Sequence, residues 1–154
     1  MTSRCVPAGG QRPESLDAKP AARDQLAALP GCLSAGPLLP VTPSPADDVE
    51  LAARLGIDVE RIAVLRRRPG VALVALLDGS APVAFGAFDP AFPGIYPACV
   101  ASPDVARSLL EACRPHARHD HANVTVEGNR ALYAALSAAG AELRHALYRM
   151  GASI

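Results

Sequence analysis

The sequence predicts one α/β domain built on a mixed central sheet of about six strands with helices on both faces, and three features predict it. The stretch VALVALL, residues 71 to 77, is apolar at every position, as expected of a central strand covered on both sides. Asp78-Gly79, a turn suited to positive φ, and SAPVAFGAF follow it and complete an antiparallel hairpin. Farther on, IYPACVA and ANVTVEG read as strands separated by a helical stretch. They need a crossover and run parallel where they neighbour, with a right-handed connection.

The remaining elements fall into place in chain order. Residues 1 to 36 carry scattered Pro, Gly and charges without sustained periodicity, apart from a short helical stretch AARDQLAAL, and are expected to be a flexible or irregular tail. The domain proper is expected over residues 37 to 154. Prolines confine a short strand near Leu38 to Thr42 to a sheet edge. Ser44-Pro45 with Asp47 and Asp48 opens a helix that Gly56 closes, and Asp58 caps a second one, VERIAVLRRR, stopped by Pro69-Gly70. Arg66, Arg67 and Arg68 at its end complement the helix dipole and are expected to be solvated, a phosphate-binding patch being the alternative. After a strand over Ile95 to Ala101, Ser102 caps, Pro103 takes the first helical position and Asp104 favours the dipole of a helix reaching about Pro115. Asn129 caps the helix RALYAALSAAG, with Leu132, Leu136 and Ala139 inward and Gly140 at its stop, and the chain ends in a strand near ELRHALYRM.

Composition excludes several classes of function. The chain has 154 residues, half of them hydrophobic, with a mean hydropathy of +0.17, enough for one sizeable core. Fifteen Lys and Arg balance fifteen Asp and Glu, so no net positive field draws nucleic acid or an anionic membrane. Aromatics are 4% of residues and Trp is absent, which disfavours a base-stacking surface. No apolar stretch near the start suits a signal peptide and VALVALL is too short to span a bilayer, so a cytoplasmic location is expected. Cys5, Cys32, Cys99 and Cys113 form no C-x-x-C pair and read as reduced structural thiols. His116, His119 and His121 with Asp120 fit no established metal spacing and sit at a helix C-terminus, where charged His is favoured, so no metal is expected.

From about Leu38 onward the element order resembles the GNAT superfamily of acyl-CoA-dependent N-acyltransferases. VEGNRALYAALSAAGA looks like the family segment in which an Asn opens a helix and a Gly follows eleven residues later, here Asn129 and Gly140. LGIDVER and the final YRM, with Arg149 and Met150, are similar to the degenerate C-terminal acetyltransferase-like domain of tandem members. The resemblance implies acetyl-CoA or another acyl-CoA as co-substrate and a small-molecule or peptide amine as acceptor. A homodimer is compatible with it, while the sequence leaves the oligomeric state open.

The resemblance also implies where the cofactor sits. Backbone amides after the strand that ends in CVA hold the CoA diphosphate in the family, which assigns Cys99, Val100, Ala101, Ser102, Asp104, Val105, Ala106 and Asn129 to cofactor binding. The family's R-x-x-G-x-G/A pattern falls here on Ala101, Asp104 and Ala106, so only Ala106 matches, and Asp104 sets a carboxylate against a diphosphate. The Tyr that protonates the leaving thiolate in many members is Leu136 here, with Tyr133 one turn earlier. Catalytic candidates are therefore Tyr133, with Glu127 and His145 as bases, each with an ordinary core-edge or solvated alternative. Strand N–H groups near Cys99 and Val100 would polarise the thioester carbonyl. Two functions follow: an N-acyltransferase, or a non-catalytic GNAT-like domain acting as an acyl-CoA sensor or protein-interaction module.

Overall fold

The apolar hairpin lies within a mixed sheet, and its two faces are covered by different helices. The computed structural model describes residues 14–16 and 36–146. In chain order the elements are β1 (Glu14–Leu16), β2 (Leu39–Val41), α1 (Asp48–Leu55), α2 (Val59–Arg67), β3 (Ala72–Asp78), β4 (Ala81–Asp89) and β5 (Gly94–Val100). There follow α3 (Ala106–Cys113), β6 (Asn123–Thr125), α4 (Arg130–Ala138) and β7 (His145–Ala146). The sheet order is β2-β3-β4-β5-β6-β1-β7, and β5–β6 is its parallel pair among antiparallel neighbours.

Alternation along β3 explains the two-sided burial. Leu73 and Ala75 pack with Phe85 and Ala87 of β4 against Leu51, Ile62 and Leu65 of the α1–α2 pair. Val74 and Leu76 point the other way, to a cluster with Phe88, Ile95, Val105, Leu109 and Cys113 beneath α3. A third cluster, Ala106, Val124, Val126, Leu132, Leu136 and Ala139, seats α4. Gly86 leaves little room for a side chain beneath α3: a Cβ there would stand 3.0 Å from Ile95 Cγ2 and 3.4 Å from Leu109 Cδ1.

Four local expectations change. Residues 14–16, inside the stretch read as a tail, form β1 and pair antiparallel with β6 and with β7, while AARDQLAAL and Arg149–Met150 lie outside the described residues. The hairpin turn is Gly79-Ser80 rather than Asp78-Gly79, since Asp78 still pairs with Ala81 and Gly79 supplies the positive φ of 61° at the first turn position. Ser102 makes no side-chain cap; its extended backbone instead offers its carbonyl to the Val105 N–H at 3.3 Å. Arg66 is not a solvated cation. Its guanidinium donates to the carboxylate of Asp48, the buried charge at the start of α1, and to the Pro43 carbonyl, tying the end of α2 to the start of α1.

The other caps follow the sequence. Asp58 Oδ1 accepts the Glu60 N–H at 2.9 Å, and Asn129 Oδ1 accepts the Leu132 N–H at 2.9 Å. Gly140, with φ 89°, closes α4, and the Ala141 N–H reaches back to the Leu136 carbonyl at 2.9 Å. No helix among the described residues is long and apolar enough to cross a membrane.

Removing one partner of a buried ion pair leaves the other charge without compensation. Asp48→Ala is therefore expected to lower unfolding free energy by about 3 kcal/mol in urea titration. Val49→Ala, on the exposed side of the same helix, should change it by less than about 0.5 kcal/mol. Equal effects of the two would remove the clamp from the account.

Candidate functional site

The sheet opens at its parallel pair. Only Gly94 with Asn123 and Ile95 with Val124 are in register; β5 then runs on to Val100 while β6 stops at Thr125. The β4–β5 register also shifts, from Gly86–Ala98 to Phe88–Ile95, so β5 carries an extra residue around Tyr96-Pro97. Such a bulge bends its strand and re-aims a side chain, and Pro97 has no N–H to offer a neighbour.

Hydrogen-bond alternation then fixes which amides face the gap. The Ala101 N–H donates to the Val83 carbonyl at 2.8 Å, so position 101 points toward β4. Two residues back, paired with Phe85, Cys99 points the same way; Ala98 and Val100 point into the gap. The Val100 N–H thus faces the gap, whereas the Cys99 N–H belongs to the β4 ladder.

On the α3–α4 face the gap is closed by apolar side chains. Ala98, Val100, Ala106, Leu109, Leu110, Val124, Leu132 and Leu136 line a pocket of about 220 Å³, counting its open mouth, and leave interior room for about one water. Leu136 is core. Tyr133 packs half-buried against the same cluster.

The opposite face is polar. Tyr96 Oη donates to Glu127 Oε1 at 2.9 Å, Arg61 Nη1 donates to Glu127 Oε2 at 2.8 Å, and the Arg61 guanidinium lies 4.7 Å from the Tyr96 ring centre. Arg61 Nη2 is buried without an acceptor. Burial opposes the charge of Arg61, but the Glu127 carboxylate more than offsets this and holds its pKa above the ordinary value. Cys99 packs on this face, and burial pushes its thiol up to about 11, partly relieved by Arg61. That is the signature of a small apolar side chain rather than a nucleophile.

The start of α3 is less open than its position suggests. Val105 N–H is bonded to the Ser102 carbonyl, Ala106 N–H to that of Pro103, and Ala101 N–H to Val83. This leaves the N–H groups of Ser102 and Asp104 without a backbone partner among the described residues. Asn129 spends its side-chain oxygen on the α4 cap. His145 lies on β7, opposite Ser15, with β1 between it and β6, about 10 Å from the strand that leads to Glu127. The junction therefore gathers Glu127, Val100 and the 102–106 turn, with Tyr133 packed against the cluster on its apolar face, and leaves His145 two strands away.

Sequence reasoning missed Arg61 and Tyr96. The available signal for Tyr96 was a proline inside a strand, which marks a bulge; nothing local distinguished Arg61 on its helix. The His119 and His121 rings lie with centres 5.5 Å apart, tilted by 35°, and His121 Nδ1 lies 3.2 Å from Asp120 Oδ1. No three potential metal ligands converge among the described residues. Compared with protein-family models, curated proteins and solved structures, the chain matches none.

Two measurements check these assignments. Asn129→Ala should lower unfolding free energy by about 1 kcal/mol, and Asn129→Ser should recover most of it, as for any cap. Because burial disfavours its thiolate, alkylation of Cys99 should still be rising at pH 10, with a midpoint near 11. A midpoint near 8 by mass-resolved labelling would mark a reactive cysteine instead.

Proposed function

We propose that the chain is a GNAT-type N-acyltransferase that moves an acetyl or other acyl group from acyl-CoA to a small-molecule or peptide amine. The observation that carries this reading is the opened parallel pair, with the Ala98 and Val100 N–H groups directed into the gap. An acyl thioester laid along that edge of β5 would find a donor for its carbonyl oxygen, and the charge that develops there on amine attack would be stabilised by backbone alone. The diphosphate would lie toward Ser102 and Asp104, the two amides left over at the start of α3. Glu127 stands at the same gap, on the polar face, where it would accept the amine proton as the C–N bond forms; the C–S bond would break with CoA leaving as its thiolate, which takes its proton from solvent.

A second reading is favoured by a specific observation: the pocket on the α3–α4 face is filled by leucines, and three amides of the expected cradle are already engaged. On that reading the domain is non-catalytic and acts as an acyl-CoA sensor or protein-interaction module.

Calorimetry with acetyl-CoA separates the possibilities, followed by thiol-release assays over an amine panel. The acyltransferase reading expects binding and release of CoA; binding without release supports the sensor, and absence of binding at millimolar acetyl-CoA removes the enzyme and the sensor and leaves the protein-interaction module. Asp104→Asn should tighten binding about fivefold at low salt by removing a carboxylate from the diphosphate, with the gain shrinking at high salt. An unchanged affinity would place the diphosphate elsewhere.

A further inference from the structure

We infer that Tyr96, Glu127 and Arg61 form a latch across the gap between β5 and β6, closed in the free chain and released when the junction is entered. The inference concerns access rather than chemistry, and holds whatever molecule enters. Beyond Ile95 and Val124 the backbone ladder no longer joins the two strands. The next link across is made by side chains, from Tyr96 Oη on β5 to the carboxylate of Glu127 just past β6, at 2.9 Å. Arg61 holds the second oxygen of the same carboxylate at 2.8 Å and covers the Tyr96 ring, so α2 fixes both sides of the link.

Three features make this a releasable link rather than a rigid brace. The ion pair is partly open to solvent, with side-chain exposures of 33% for Arg61 and 42% for Glu127, and such pairs are individually weak. The closed arrangement seals Arg61 Nη2 away from water without giving it an acceptor, a cost that opening removes. Tyr96 itself is 44% exposed and can swing outward without leaving a hole in the core. The link spans the gap into which the Ala98 and Val100 amides are directed, and the Cys99 thiol, on the same face, is close enough to feel the charges of Arg61 and Glu127.

Tyr96→Phe cuts the link while leaving ring, packing and charge in place. The test uses the full chain with Cys5 and Cys32 changed to Ser, and iodoacetamide at pH 9 with mass-resolved labelling; Cys113, fully buried in another cluster, is the internal control. Cys99 labelling and hydrogen exchange at the Ala98 and Val100 amides should each rise about fivefold, the effect of losing one hydrogen bond, with Cys113 unchanged. Unchanged Cys99 and amide rates would overturn the latch, and so would a parallel rise at Cys113, which would report general loosening. Repeating the exchange with acetyl-CoA keeps the two proposals apart. Failure of acetyl-CoA to bind would sink the enzyme reading and leave the latch result intact.

Discussion

The end of the β5–β6 ladder after two residue pairs is the constraint on which the rest of the architecture depends. Two causes act together. The extra residue at Tyr96-Pro97 bends β5 and places a residue without an N–H where the next rung would form. On the α3–α4 side, Leu110, Leu132 and Leu136 occupy the space between the diverging strands, so closing the ladder would displace well-packed core. A parallel pair is slightly less stable per residue than an antiparallel one, which makes this the junction where opening costs least.

Divergence gives the junction two unlike faces. Toward α3 and α4 it presents alanines, valines and leucines; toward α2 it presents a carboxylate, a guanidinium and a phenol. This separation follows from strand alternation. Ala98 and Val100 point to one side and Cys99 to the other, and Val126 is buried in the α4 cluster while Glu127 beside it faces Arg61. The polar cluster can persist because the carboxylate, the phenol and one guanidinium nitrogen are hydrogen-bonded to one another and the side chains stay partly open to solvent, with Arg61 Nη2 the exception, whereas the same groups under α4 would be buried without compensation.

Much of the fold was legible in the sequence, because hydrophobic period and caps are local. The unbroken apolar run of β3, the Asp58 and Asn129 caps and the Gly56 and Gly140 stops each report a conformation that neighbouring residues determine. Connectivity made β5 and β6 parallel where they neighbour, and the structure pairs them. What was not legible depends on pairing at a distance. Arg66 reads as one of three exposed cations until Asp48, eighteen positions earlier, is seen beneath it. Arg61 and Glu127 are 66 residues apart, and no periodicity links them. Residues 14–16 lack any strand signal of their own, and their place between β6 and β7 comes from the partners rather than from propensity.

The start of α3 illustrates how one set of residues can satisfy fold and ligand unequally. Pro103 and Asp104 begin a helix well because proline pre-sets φ and a carboxylate complements the free N–H groups. Both properties count against a diphosphate: proline removes one donor, and the carboxylate already supplies negative charge where the phosphates would bring theirs. The turn bonds of Val105 and Ala106 consume two further donors. A cofactor at this junction would therefore draw less of its affinity from phosphate than a glycine-rich turn would allow. More of it would come from the apolar pocket beside β5, where an entering chain must move Leu110 or Leu132 from its rotamer. Repacking of that kind typically costs 1–3 kcal/mol, and burial of the chain's own methylenes, at about 0.8 kcal/mol each, can offset it. The balance between those two numbers, rather than the helix terminus, decides whether the junction holds a ligand.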